Sequence, residues 1–371
     1  MKKPIASVLL SLISITMFAL TGAYLPEQTG RYELQMKDGH KDSSQKIFAT
    51  SRCFDMLAAL QYFDKVKDAP GFGHLAGDTA FMAALNKINS SVKASKLCNF
   101  YARFGSDRND VDSLCAFFEN LPEMSLPDEG WVRQIVELQE DLTHVLKSLR
   151  DAGYSMYWDN EVRPKLEAKI ASYPIPDGML DRIHAELTAF SGRDSLAPTH
   201  SKTYVMDIDN AFQLSDESFC CTPLLLDPEL EKQFHLDFLK VYIHENLHRL
   251  PVSKELMDRL DNLLADDFYR ENEAVAASHN EGRNEAFVVA AEVYISHRLG
   301  RRDAEAVREE FKVYVDGSLV LAPIIYVNLD DKGADESLND FIMRLFDSGV
   351  IKAGEVKARY EAAMKELEES M

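Results

Sequence analysis

The segment from Asp227 to Pro251, DPELEKQFHLDFLKVYIHENLHRLP, leaves this chain little local freedom. Asp227 is suited to cap a helix, Pro228 to fill its first position, and Glu229 to meet its positive end; Pro251 stops it. The segment therefore predicts a helix of about 22 residues. Residues four apart on a helix share a face, so His244 and His248 aim their imidazoles at one point, with Glu245 beside the first. Any fold around this helix has to accommodate those three polar side chains.

That pattern has a chemistry. Two neutral imidazole nitrogens and a carboxylate from elsewhere can hold Zn²⁺ with a fourth position open to water. Glu245, adjacent to the first ligand, is placed to take a proton from that water rather than to bind the ion. The chain has ten histidines, enough for such a pentad to arise by chance. The bland alternative is a helix whose histidines and glutamate face solvent or pair with nearby acids.

The third ligand is sought downstream. From His244 the chain reads HENLHRLPVSK, without the glycine and third histidine of the metzincin continuation. The stretch EGRNEAFVVAAEVYISHRLG, Glu281 to Gly300, reads as a helix ended by Gly300 with basic residues near its last turn. Its NEAF (Asn284 to Phe287) resembles the Asn-Glu-Gly-Phe and Asn-Glu-Ala signatures that carry the third zinc ligand in the aminopeptidase-N and thermolysin groups. Pentad and NEAF together resemble the gluzincin zinc metallopeptidases over roughly sixty residues. The resemblance implies a zincin-like fold, Zn²⁺ as cofactor, His244, His248 and Glu285 as ligands, Glu245 as general base, and a peptide or protein substrate.

The chain departs from that pattern in three places. Between His248 and Glu285 lie 36 residues, about twice the usual interval, so an extra helix over Ser253–Asn272 has to fit between them. Val289 stands where thermolysin-like enzymes often place an aspartate behind the first histidine, which leaves Glu292 for that role. No Gly-x-Met-Glu-Asn exopeptidase signature is present. Two other carboxylates compete as third ligand: Glu273, in a second Asn-Glu-Ala, and Glu281, with Glu285 then the supporting acid. His279 and His297 suit polar helix ends, and His235 falls on another face of the pentad helix. An oxyanion stabiliser is expected beyond the glutamate helix, from Tyr294, Tyr314 or Tyr326, the last in an apolar run that suits a core.

The rest of the chain sets boundaries. Residues 1–23 have a basic start, an apolar run and small residues before Tyr24, which predicts a signal peptide and a periplasmic or secreted protein; an uncleaved anchor is the alternative. No other stretch has spanning length, so no stable membrane insertion is expected once residues 1–23 are removed. The formal net charge of −20 becomes −22 without Lys2 and Lys3, and repulsion of phosphates argues against nucleic acid as a partner. Five cysteines permit disulfides, with Cys98, Cys115 and Cys53 the nearest candidates, but no CxxC metal pair exists.

Apolar residues recur at three and four through Ser51–Val66, Thr79–Val92 and Trp131–Gly153, which predicts amphipathic helices. Lys202–Asp209 and Ser218–Leu226 have strand character. The fold expected is α+β and mostly helical: a helical N-terminal region over 24–195, then a zincin-like catalytic domain with a small sheet over 196–371. The expected function is that of an exported zinc metallopeptidase. The alternative is a non-catalytic acidic binding protein with a structural or vestigial zinc site; hydrolysis of a non-peptide amide or ester would use the same residues.

Overall fold

The computed structural model describes residues 47–121, 124–192, 202–214, 218–229, 237–279 and 281–369. The expected signal peptide, His235 and the middle of the predicted Asp227 helix lie outside them. The fold is α+β, mostly helical with one small sheet. It divides into two compact units.

The first unit takes the described residues of 47–174 and 201–237. Its longer helices are α1 (Arg52–Gln61), α2 (Thr79–Ser91), α3 (Ala94–Phe104), α4 (Val111–Glu119), α5 (Gly130–Glu137), α6 (Gln139–Asp151) and α7 (Arg163–Ser172). Side-chain caps start several of them. Ser51 Oγ accepts from Phe54 N at 3.2 Å, and Asp78 Oδ1 from Ala80 N at 2.9 Å, each satisfying N–H groups that a helix start leaves open. α1 packs on α3, and α2 and α4 both pack on α6. The helix expected over Trp131–Gly153 is two, α5 and α6, broken at Leu138.

The sheet belongs to this unit. Its strands are β1 (Phe48–Ala49), β2 (Thr203–Val205), β3 (Phe212–Gln213) and β4 (Phe219–Cys221), in the order β1-β2-β4-β3. β2 runs parallel to β1 and to β4, with Thr203 opposite Phe48 and Tyr204 opposite Cys220; β3 is antiparallel to β4. Asp55 of α1 ties helix to sheet: its carboxylate accepts from Trp158 Nε1 at 2.7 Å and from Asp207 N at 2.8 Å. Burial pushes this carboxyl up to about 7.

The second unit takes the described residues of 175–200 and 238–371. It contains α8 (Met179–Ser191), α9 (Phe238–Leu247), α10 (Lys254–Leu263), α11 (Asp267–Ser278), α12 (Glu285–Arg298), α13 (Ala304–Val313), α14 (Leu321–Tyr326), α15 (Leu338–Asp347) and α16 (Val356–Glu369). Every residue of α9 is buried, as is nearly all of α12, and the two pack together at the centre with α14 against α12. The extra helix expected over Ser253–Asn272 is divided between α10 and α11, because Asp266 caps a fresh start by accepting from Tyr269 N at 3.0 Å.

Two expectations are corrected. The expected division at residue 195 does not coincide with the compact units, which exchange segments on both sides of it. The small sheet expected beside the pentad helix lies in the other unit, because the ladder partner of β2 is β1, ahead of all the helices. Among the described residues, the unit that carries His244 has no strand. All five cysteines are buried free thiols, so the pairings the sequence permits do not form. Among the described residues, no helix is long and apolar enough to cross a membrane.

Candidate metal centre

The apolar residues of α9, Phe238, Leu239, Val241, Tyr242, Ile243 and Leu247, are spread around the helix, and burial on every side is what such a helix requires. Its polar residues are carried inside with it. His244 is 3 % exposed and Glu245 1 %. His248 follows the last turn, its N–H donating to the His244 carbonyl at 3.2 Å, so the four-residue spacing is kept beyond the helix end. The two rings meet with Nε2 atoms 2.9 Å apart and planes at 74°.

Glu285 opens α12, where the positive helix end favours a carboxylate. Its two oxygens address one imidazole each: Oε1 is 3.3 Å from His244 Nε2, and Oε2 is 3.4 Å from His248 Nε2. Tyr314 donates to Glu285 Oε1 at 3.1 Å from the far side. His244, His248 and Glu285 form a group whose ligand atoms converge on one point. Four ligands on a tetrahedral zinc stand about 3.3 Å from one another when each bond is about 2.0–2.1 Å. Separations of 2.9, 3.3 and 3.4 Å match that spacing, so the donor set fits the ion the sequence implies.

The protonation states fit as well. Burial opposes charge on Glu285, but the His244 and His248 imidazoles and the Tyr314 hydroxyl outweigh it and hold the carboxyl down at about 2. Burial lowers His248 to about 3, so its ring is neutral. Burial also works against charge on His244, but the Glu285 carboxylate outweighs it and the pKa is raised. An anionic carboxylate and a neutral imidazole stand ready, and the His244 proton is the one a metal has to displace.

Around the group lies a buried chain of charges. Lys240, one turn before His244, reaches Glu310 Oε1 at 2.6 Å; Arg302 holds Glu310 Oε2 at 2.9 Å and Glu292 Oε1 at 3.4 Å. Ser296 Oγ also donates to Glu292 Oε1, at 2.8 Å. Glu292 was expected behind the first histidine. Its hydrogen-bond partners among these contacts are Ser296 and Arg302, and its charge acts on His244 less than those of Glu285 and Glu245. Lys240 Nζ also lies 5.6 Å from the centre of the Tyr314 ring.

Tyr314 sits on an unusual backbone. Val315, Asp316 and Gly317, directly after it, all have left-handed φ, at 50°, 56° and 71°. For a β-branched residue that conformation is rare and costs about 1–2 kcal/mol. Ser318 holds the turn, its N–H and Oγ both donating to the Val315 carbonyl at 3.1 and 2.7 Å. At Gly317 a Cβ would meet the Lys312 carbonyl oxygen at 2.8 Å.

The remaining candidates fall away from the triad. Glu273 is 3.8 Å from Arg283 Nε. His279 pairs with Asp316 at 3.0 Å, and His297 Nδ1 with the Tyr326 hydroxyl at 2.7 Å. Tyr294 donates to Asp330 at 2.7 Å, so of the three tyrosines it is Tyr314 that reaches the site. Glu281, four residues ahead of Glu285, is buried with neither oxygen hydrogen-bonded. Burial first, then the Glu285 and Glu245 charges, push it up to about 9. Sequence reasoning passed over Lys240, Arg302 and Glu310. A lysine inside an apolar helix one turn before His244 is the signal that pointed to them, and Asp316-Gly317 is an ordinary turn signal for the strained loop.

Compared with protein-family models, curated proteins and solved structures, the chain matches none.

Proposed function

We propose that this protein is a zinc metallopeptidase, with His244, His248 and Glu285 as the metal ligands and Glu245 as the general base. The observation that carries this reading is the convergence of those three side chains, 2.9–3.4 Å apart and buried, with a second glutamate following the first histidine. When bound, zinc would polarise the scissile carbonyl and lower the pKa of its water towards neutrality. Glu245 is placed to accept a proton from an attacking water, whose oxygen would bond to the carbonyl carbon. As the C–N bond breaks, Glu245 returns the proton to the nitrogen, leaving a carboxylic acid and an amine. Tyr314 and Lys240 act behind this chemistry, the first by holding Glu285 and the second by anchoring the turn before His244 to Glu310. The zincin-like fold, and the exported location read from residues 1–23, belong to the same proposal.

Glu245→Gln tests it. The amide keeps the shape of the side chain but cannot accept a proton, so hydrolysis should fall by about 10²–10⁴-fold with zinc still bound. Equal cleavage by the variant, or cleavage by zinc-free protein, would contradict the assignment.

The burial of the site favours a second reading. At 1 % exposure for Glu245 and 3 % for His244, a structural ion in a non-catalytic acidic binding protein would be shielded as a structural zinc usually is. A purely structural site has no use for a base beside its ligand, which is why the catalytic reading is preferred. Zinc-loaded protein that cleaves no peptide, and in which Glu245→Gln changes nothing, would transfer the case to the binding protein.

A further inference from the structure

Glu281 has no place in the mechanism above, yet it sits among the groups that do. It is 6 % exposed, its backbone N–H is held by the Ala276 carbonyl at 3.1 Å, and neither carboxylate oxygen has a hydrogen-bond partner. Glu285 stands four residues further on, where α12 starts, and the charges of Glu285 and Glu245 both act on Glu281. A buried polar group without a partner is rare in a folded protein and calls for an explanation.

Charge bookkeeping suggests one. Glu245, Glu281 and Glu285 bring three acids to a site where the neutral His248 adds no charge. A divalent ion at the triad offsets two, and the third, Glu281, which burial and its neighbours favour as the protonated acid, can take one cation in place of its proton. A second metal ion does not suit: among the described residues, the one converging group of histidine, cysteine or acidic side chains is His244, His248 and Glu285, and Glu281 is outside it. A primary ammonium needs only a carboxylate to receive its three N–H donors, and one unpartnered buried carboxylate is what the protein offers.

We propose that Glu281 is a substrate-binding residue that receives a primary ammonium of the peptide, from its amino terminus or from a lysine side chain, next to the bond being cut. The proposal rests on the peptidase reading and narrows its substrate class. A carboxylate four residues ahead of the third ligand, on the segment that leads into α12, would hold the amine within a residue or so of the scissile bond, so cutting would occur at the chain's first bond or beside a lysine. Glu281 thereby supplies a recognition carboxylate without the Gly-x-Met-Glu-Asn signature that the sequence lacks.

The test uses the zinc-loaded full chain and a random-sequence decapeptide library, half of it with every amine acetylated, the products read by mass spectrometry. Cutting confined to the unacetylated half is expected, and the product ends tell amino-terminal trimming from cleavage beside lysine. Glu281→Gln should lower kcat/KM on that half roughly 10- to 100-fold, the size of one charge-assisted hydrogen bond, without changing zinc content, and Glu281→Asp should recover part of it. Equal cutting of both halves would overturn the amine site and leave the peptidase reading intact, and it needs no variant to fold. A second zinc per chain that disappears in Glu281→Gln would replace the ammonium with a metal. No cutting of either half by zinc-loaded protein would overturn both readings.

Discussion

Glu285 meets three partners, and together they oppose what its burial favours. Burial favours a neutral acid, while His244, His248 and Tyr314 favour the anion and prevail, at a folded pKa of about 2. His244 carries the other half of the bargain, with its pKa raised beside that carboxylate. A raised histidine pKa means that protons compete with metal from a higher pH than at an ordinary imidazole. Zinc affinity should therefore fall steadily as pH drops from 8 to 6, and binding near neutral pH should release protons. Calorimetry in buffers of different ionisation enthalpy measures that release; an affinity independent of pH across this range would argue against metal at these nitrogens. At this scale the sequence was informative. The pentad spacing predicts the meeting of His244 with His248, and NEAF picks Glu285 out of three competing glutamates. The choice among the tyrosines was illegible, because Tyr314 lies at a helix end followed by three left-handed residues, which periodicity cannot register.

Among the elements, α9 and α12 are held by charge as well as by apolar packing. Glu310 of α13 accepts from Lys240 of α9 and from Arg302, which in turn holds Glu292 of α12. Removing one partner from a buried charge network strands the others, so Glu310→Gln should cost about 3–5 kcal/mol in urea unfolding. The pH dependence follows from the same pair of cations. Burial opposes the Glu310 anion, but Lys240 and Arg302 outweigh it and lower its pKa from 4.5 to about 2. The stabilisation is thus present above pH 4.5 and lost as pH falls through that window, and the variant should unfold with a shallower acid slope. An unchanged slope and a loss below 1 kcal/mol would show that the network contributes little. The helices themselves were largely readable from apolar spacing and caps. Their breaks were less so: Leu138 and Asp266 interrupt patterns that run on across them.

For the molecule as a whole, chain order and spatial grouping diverge. The boundary expected at residue 195 follows a change in composition, whereas the compact units follow strand pairing, and a two-residue strand at Phe48–Ala49 is too short to announce itself. The same pairing buries Cys220 and Cys221 in β4, while Cys53, Cys98 and Cys115 are buried in helices of the same unit. Burial pushes Cys53 up to about 12 and Cys115 to about 11, which suppresses the reactive thiolate. Native protein should thus react with a thiol reagent far more slowly than free cysteine, and all five thiols should titrate once it is denatured without reductant. Fewer than five would reveal a disulfide and contradict this packing.

The central claim is that one ion is gripped by His244, His248 and Glu285, and X-ray absorption at the zinc edge tests it most directly. Purified full-length protein should give one zinc per chain, with two imidazole nitrogens at about 2.0–2.1 Å and carboxylate oxygen at about 2.0–2.2 Å, all lost in Glu285→Ala. A spectrum with one imidazole or none, or one unchanged by that substitution, would contradict it.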